Sequence, residues 1–196
     1  MCQKKKTGLY FGSFNPIHVG HLIIANYMQQ FTDLDEVWFV VSPQNPLKNK
    51  KSLLADIHRL ALVRIATEDH THLKVSDIEY KLPKPSYTID TLTFLDEKYP
   101  DRSFKLICGG DNLESFQKWK NYEKILKYYE LYVYKRPGSS CQEYENHPSV
   151  HLFDAPQMEI SASFIREGLA EKKDMSFFLT PKVCSYIKEM HFYEKK

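Results

Sequence analysis

Apolar runs and amphipathic segments alternate along the chain, and their order predicts a fold. Residues 37–41, VWFVV, form an uninterrupted β-prone run that is typical of a central strand buried on both faces. Residues 54–67 instead carry apolar side chains at helical spacing and predict an amphipathic helix. The same patterns predict extended segments at 7–11, 36–42, 73–82, 103–108, 131–134 and 150–153, and helices at 22–31, 54–67, 88–99, 113–129, 161–170 and after Thr180.

Several element boundaries carry their own signals. Ser161 is a plausible N-cap, and Thr180 followed by Pro181 is a good N-cap and first helical residue. Pro100 ends the helix predicted at 88–99. The helix predicted at 113–129 divides into two pieces around residues 120–121, and residues 139–148 form a loop or a short helix.

About five alternations of strand and helix predict an α/β fold, a Rossmann-like doubly wound parallel sheet with helices on both faces. In such sheets ligands bind beyond the carboxyl ends of the strands. The 196 residues fit a single domain, 1–196, with enough chain to bury a core.

Composition narrows the class of protein. Charged residues make up 27% and the net charge is only +2, so nucleic acid is not an expected partner. Four scattered cysteines, at 2, 108, 141 and 184, do not suggest a disulfide framework. Neither a signal peptide nor a membrane-spanning run is seen. We therefore expect a cytoplasmic protein with no membrane partner.

The ten residues GSFNPIHVGH, from Gly12 to His21, stand between the first predicted strand and helix. A helix start presents unpaired N–H groups and a positive dipole end, which suit a phosphate, and Gly12 lets a ligand approach the backbone. His18 and His21 share one face of the first turn, where imidazole N–H groups can stabilise charge on a phosphate. Zinc is less favoured because it usually takes three or four protein ligands. Alone, the two histidines would simply be satisfied within an N-terminal helix.

The whole string resembles the G-[ST]-F-[DN]-P-x-H-x-G-H signature of the nucleotidyltransferase superfamily, whose members transfer AMP or CMP from a nucleoside triphosphate. Asn15 stands where the family usually has Asp, which keeps a hydrogen-bonding side chain and removes a negative charge. The resemblance implies that His18 and His21 act on the transferring phosphate. It implies contacts with ATP from Gly12, Ser13, Phe14, His18, Gly20 and His21.

A second string, ISASFIR, runs from Ile160 to Arg166. Hydroxyls, free N–H groups and a guanidinium on one helical face can hold phosphate oxygens, although on its own the string is better explained by a capped surface helix with a solvated arginine. The string resembles the I-S-[SA]-[ST]-x-[IL]-R motif that accompanies the histidine motif in the superfamily. The resemblance implies that the helical part from about residue 161 completes the ATP site, with Ser161, Ser163 and Arg166 on the β and γ phosphates.

Gly109-Gly110-Asp111 follows a predicted strand. An ordinary strand-to-helix turn and a ribose-binding carboxylate explain it about equally on chemistry alone. The family resemblance favours the ribose of ATP, with contacts from Gly109 and Asp111.

The segment PSYTIDTL from Pro85 to Leu92 resembles the P-S-Y-T-x-D-T-L segment of bacterial nicotinate mononucleotide adenylyltransferases, and Trp119 matches a tryptophan of that group. A flat aromatic face suits a pyridinium ring. Lys48, after a proline-rich turn, and Arg136, in an R-P-G segment, also match the family. The resemblance implies mononucleotide contacts from Ser13, Asn15, Lys48, Tyr87, Thr88, Trp119 and Arg136.

The resemblance thus implies an adenylyltransferase that joins ATP to nicotinate mononucleotide, giving nicotinate adenine dinucleotide and pyrophosphate, by direct in-line attack. His18, His21 and Arg166 would be the catalytic residues. Mg²⁺ would arrive with ATP, and no protein metal ligand is assigned.

Other functions stay open at this point. Nicotinamide mononucleotide could be the preferred acceptor, or a sister enzyme could use phosphopantetheine or a polyol phosphate. An aminoacyl-tRNA synthetase fragment lacks support because no K-M-S-K-S-like loop is present, and a nucleotide sensor would often have lost a histidine or Arg166. The sequence leaves the oligomeric state, including a homo-oligomer, undecided.

Overall fold

The computed structural model describes residues 4–43, 53–136 and 138–194. Their strands are β1 (Lys5–Gly12), β2 (Glu36–Val41), β3 (Leu73–Ser76), β4 (Arg102–Gly109), β5 (Glu130–Tyr134) and β6 (Val150–Phe153). Their α-helices are α1 (Val19–Phe31), α2 (Asp56–Thr67), α3 (Thr88–Lys98), α4 (Gly110–Leu113), α5 (Tyr122–Tyr128), α6 (Ala162–Ala170) and α7 (Pro181–Glu189). Short 3-10 turns lie at Ile78–Lys81, Phe116–Lys118, Gln142–Tyr144 and Ser176–Phe178.

The six described strands form one parallel sheet in the order β3-β2-β1-β4-β5-β6. The order reverses between β1 and β4, and in open α/β sheets such a switch point is where ligands bind. The predicted doubly wound parallel sheet is therefore confirmed.

Apolar side chains cover both faces of the sheet. Along β2, Val37, Phe39 and Val41 face one cluster, with α1, α2, α6 and α7, while Trp38 and Val40 face the other, with α3 and α5. This alternation follows from the two-residue period of a strand. It confirms the prediction that β2 is buried on both faces.

Two predicted elements differ from the structure. Only Leu73–Ser76 of the predicted extended segment 73–82 is a strand, because Tyr80 N–H donates to the carbonyl of Asp77 (2.9 Å) and closes a 3-10 turn. In place of the two helical pieces predicted within 113–129, the structure has three elements: the end of α4, a 3-10 turn and α5. The break at residues 120–121 is confirmed, since Asn121 has a φ of +53° in the left-handed region.

Candidate active site

The carboxyl ends of β1, β2, β4 and β5 open onto one cavity of about 1190 Å³. That volume exceeds the usual range for one drug-sized ligand and suits two nucleotides. It brings together nearly all the predicted site residues. They are Gly12, Ser13, Phe14, Asn15, His18, Gly20, His21, Tyr87, Thr88, Gly109, Asp111, Trp119, Arg136, Ser161, Ser163 and Arg166. Lys48 lies outside the described residues.

His18 and His21 stand together at the start of α1. His18 is the N-cap residue, with extended backbone, and His21 lies one turn into the helix. Their rings stack with centroids 3.7 Å apart and an angle of 28° between the planes. The backbone N–H of His18 donates to Nδ1 of His21 (3.3 Å). This bond places the proton of a neutral His21 ring on Nε2, where it is a donor.

The pKa of His18 is lowered from 6.5 to about 4, first by burial and then by the nearby Arg136 guanidinium. Its Nδ1 is buried and makes no hydrogen bond with any described residue, so protonation there would leave an unsatisfied donor. His18 is therefore neutral near pH 7. A neutral ring can donate a hydrogen bond but does not carry a full positive charge.

The Phe14 ring packs against the histidine pair at His21. Its side chain is buried, its φ is +44°, and its ring meets the ring of His21 edge-on at 5.1 Å. A Cβ on Gly12 would lie 2.7 Å from the Phe14 ring. Glycine at position 12 is thus required by the packing of Phe14, a reason different from the ligand approach that the sequence suggested. The predicted contact of Phe14 with ATP stays a prediction.

Arg166 joins the two sequence motifs. Its Nη1 donates to the carbonyl of Asn15 (2.7 Å) and its Nη2 donates to Oγ of Ser163 (3.0 Å). Ser161 caps α6 as predicted, because its Oγ accepts the N–H of Phe164 (3.1 Å). The guanidinium is thereby held beside the turn between β1 and α1 before any ligand binds.

The side-chain oxygen of Asn15 accepts hydrogen bonds from other parts of the protein. Its Oδ1 accepts the N–H of Leu54 (3.1 Å) and the hydroxyl of Tyr193 (2.9 Å). An amide oxygen makes these bonds without placing a charge at a site that is only 4% exposed. Its predicted contact with the mononucleotide stays a prediction.

Asp111 and Arg136 form a pair at the ends of β4 and β5. Arg136 Nη1 lies 3.5 Å from Asp111 Oδ2, and Nη2 donates to the hydroxyl of Tyr134 (3.1 Å). A Cβ on Gly109 would collide with Oδ1 of Asp111 and would lie 3.0 Å from Nε of Arg136, so this glycine makes room for both members of the pair. These contacts place Arg136 beside the predicted ribose carboxylate and beside His18. Its predicted role toward the mononucleotide stays a prediction.

Tyr87, Thr88 and Trp119 line another part of the cavity, at the start of α3 and after the 3-10 turn at Phe116–Lys118. Tyr87 is the N-cap residue of α3, Thr88 is its first residue, and Lys120 Nζ lies 4.6 Å from the centre of the Tyr87 ring. Trp119 packs on Phe116 with ring centroids 5.3 Å apart. The segment predicted as loop or short helix contributes here, because Tyr144 of its 3-10 turn packs on the same Phe116 (6.0 Å).

Two buried charges beside the site were missed by the sequence analysis. Arg59 is fully buried and donates to the carbonyls of Ser13 (2.5 Å) and Ser42 (2.8 Å). It lies on the apolar face of α2 with Leu62 and Val63, so a charge at a core position was the signal that could have identified it. Glu79 lies in the 3-10 turn after β3, where no periodicity marks it.

Comparison with known proteins defines the class first. Residues 9–168 match the family model described as cytidylyltransferase-like, which covers most of the chain and every described site residue named above except Tyr193. The fold resembles that of the Plasmodium falciparum nicotinic acid mononucleotide adenylyltransferase complexed with NaAD. The TM-score is 0.80 at 22% identity, covering 96% of this chain and 97% of that one. At this identity the likeness concerns the fold.

Closer relatives define the particular family. A probable nicotinate-nucleotide adenylyltransferase of Flavobacterium johnsoniae is 54% identical over 192 residues, 97% of this chain and all of the relative. One of Bacteroides thetaiotaomicron is 50% identical over 186 residues, 95% of this chain and 92% of the relative. The chain belongs to the nicotinate-nucleotide adenylyltransferase family, and it is a nucleotidyltransferase enzyme.

No helix within the described residues combines the length and apolar character needed to cross a membrane.

Proposed function

We propose that the protein transfers AMP from ATP to nicotinate mononucleotide, forming nicotinate adenine dinucleotide and pyrophosphate. The observation that carries the proposal is one cavity that holds the stacked His18–His21 pair, the Arg166–Ser163 pair and the Trp119 wall. The first two suit a triphosphate, and the third suits a flat pyridine ring.

The reaction needs no general base, because the acceptor is already a phosphate anion. An oxygen of the mononucleotide phosphate attacks the α-phosphorus of ATP, and the bond from that phosphorus to the bridging oxygen of the β-phosphate breaks. Pyrophosphate leaves with that electron pair. The protein therefore contributes positioning and stabilisation of charge.

His18 and His21 donate Nε2–H bonds to the oxygens of the transferring phosphate. His21 is held for this by the backbone N–H of His18, and His18 by its stacking on His21. Arg166, fixed on Asn15 and Ser163, and the start of α6 receive the leaving pyrophosphate. Asp111 binds ribose hydroxyls of ATP. Its partner Arg136 lies beside it and contacts the mononucleotide.

Trp119 stacks on the pyridine ring, and the start of α3 at Tyr87 and Thr88 borders the ring substituent. Within the described residues, no group of three or more His, Cys, Asp or Glu side chains is placed to hold a metal ion. In this proposal Mg²⁺ accompanies ATP and is bound by phosphates and water, where it offsets their negative charge.

The test is release of pyrophosphate from ATP and Mg²⁺ with three acceptors in parallel: nicotinate mononucleotide, nicotinamide mononucleotide and phosphopantetheine. We expect strong turnover with nicotinate mononucleotide. Equal rates with both pyridine nucleotides would retain the reaction and remove the preference for the acid. Turnover with phosphopantetheine alone would refute the proposal.

A further inference from the structure

Glu79 is a buried carboxylate beside the wall of the cavity formed by the start of α3. Its residue is only 3% exposed, and it lines the cavity. No salt bridge to Glu79 is found among the described residues; its partners are hydroxyl groups. Burying a carboxylate costs free energy. Its hydrogen bonds offset that cost and therefore determine the stability of the local structure.

The hydroxyls near Glu79 come from two parts of the chain, the start of α3 and the end of β2. Oγ of Ser86, just before α3, donates to Oε2 (3.1 Å), and Oγ1 of Thr91, in the first turn of α3, donates to Oε1 (2.9 Å). The hydroxyl of Ser42, which follows β2, lies near the same carboxylate and lowers its pKa. Glu79 thus ties the start of α3 to the carboxyl end of β2.

Ser42 is held from its other side as well. Its carbonyl accepts Nη1 of Arg59 (2.8 Å), and the same Nη1 donates to the carbonyl of Ser13 (2.5 Å). Polar contacts therefore run from the turn after β1, through Arg59 and Ser42, to Glu79 and the start of α3. They join the part of the cavity proposed for phosphates to the part proposed for the pyridine ring.

We propose that Glu79 is a positioning residue for the acceptor nucleotide: by accepting the hydroxyls of Ser86 and Thr91 beside Ser42, it fixes the start of α3 at the distance from the phosphate-binding turn that the mononucleotide spans. The inference rests on the proposed function, because it takes Tyr87 and Thr88 to border the pyridine ring. Glu79 itself touches neither reacting phosphate.

Burial raises the pKa of Glu79, which is consistent with a carboxyl group kept at an unfavourable position. An apolar residue of similar size would remove the cost of burying a carboxyl group, but it would leave the hydroxyls of Ser86 and Thr91 without this acceptor. The hydrogen bonds of the segment that contains Tyr87 would then be lost.

The experiment compares Glu79→Gln and Thr91→Val with the wild type and with Glu36→Gln. Thr91 is fully buried and does not line the cavity, so Thr91→Val removes the donor to Glu79, together with the longer bond from the same hydroxyl to the carbonyl of Tyr87 (3.3 Å), at nearly constant volume. Glu36 is equally buried, but it lies at the opposite end of β2, where it bonds Lys5 and Trp38. It is the matched control for loss of a buried carboxylate.

KM for nicotinate mononucleotide, KM for ATP and kcat are measured below the melting temperature of each variant, with hydrogen exchange followed in residues 84–95. We expect Glu79→Gln to raise KM for the mononucleotide roughly tenfold, with KM for ATP changed less than about twofold. Thr91→Val should shift the same constant in the same direction. Exchange at the start of α3 should become faster in both variants. Glu36→Gln should lower the melting temperature and leave both KM values unchanged.

Equal effects on both substrates, or none, in Glu79→Gln and Thr91→Val would overturn the positioning role while wild-type turnover still supported the proposed function. A wild type that does not use nicotinate mononucleotide would instead overturn the proposed function, and the inference with it. Should Glu79→Gln fail to fold, Thr91→Val alone decides, because it leaves the carboxylate in place.

Discussion

The buried His18 makes the stability of the protein depend on pH in a definite direction. In the unfolded chain the ring has its ordinary pKa of 6.5, whereas in the folded protein burial and then the charge of Arg136 lower the pKa to about 4. As the pH falls below 6.5, His18 binds a proton in the unfolded chain but stays unprotonated in the folded protein. Stability is therefore complete above this range and is lost as the pH falls toward 4.

The size of the effect follows from the two pKa values. At pH 5 nearly all unfolded chains carry the proton and few folded ones do, which lowers the free energy of unfolding by about 2 kcal/mol. At pH 4 the loss reaches about 3 kcal/mol. His18→Gln removes the titrating ring, so the variant should lack this loss.

Urea unfolding of the wild type and His18→Gln at pH 7.5 and pH 5 measures this loss of stability directly. The free energy of unfolding should fall by about 2 kcal/mol more in the wild type. His70→Gln, at an exposed histidine, is the control for loss of one ring at the surface. If the wild type and His18→Gln lose stability equally, or if NMR gives His18 a titration midpoint near 6.5, the account of a neutral buried ring is refuted.

Three further substitutions test the site. His21→Ala should lower kcat about 100-fold with little change in mononucleotide binding, because its hydrogen bond acts on the transferring phosphate; steady-state kinetics with equal losses in both would contradict this. Trp119→Ala should raise KM for the pyridine nucleotide about tenfold and leave KM for ATP nearly unchanged, and normal constants for both substrates would remove the stacking role. In Gly20→Ala the new Cβ would lie 3.1 Å from Nδ1 of His18 and displace its ring. We expect kcat to fall about tenfold at an unchanged melting temperature, and full activity would show that the ring position is uncritical.

The parts of the fold that follow from local pattern were predictable. The uninterrupted run in β2 required a strand with two buried faces, and Ser161 and Thr180 cap their helices as predicted. The turn at Ile78–Lys81 was not predictable, because its alternating apolar and polar residues fit a strand equally well. Closure of that turn depends on Tyr80, whose hydroxyl donates to the carbonyl of Asp56 (2.9 Å) in a distant part of the chain.

The candidate site divides in the same way. The placement of His18, His21 and Arg166 in one cavity was predictable because complete motifs mark all three. The support around them was not, because it consists of contacts between segments far apart in the sequence. Arg59 holding Ser13 and Ser42, and Phe14 filling the space above Gly12, become visible only in three dimensions.

The contacts of Asn15 also bear on how the enzyme matures. Its carbonyl receives Arg166, 151 positions later in the chain, and its side chain receives Tyr193, 178 positions later. A ribosome that has released only the first five strands has exposed the histidines but not Arg166, which we propose receives the leaving pyrophosphate. Because such distant pairs form late in folding, the nascent chain can build most of its sheet while it remains without activity. A chain interrupted before Arg166 would therefore lack the guanidinium that we propose receives the leaving pyrophosphate.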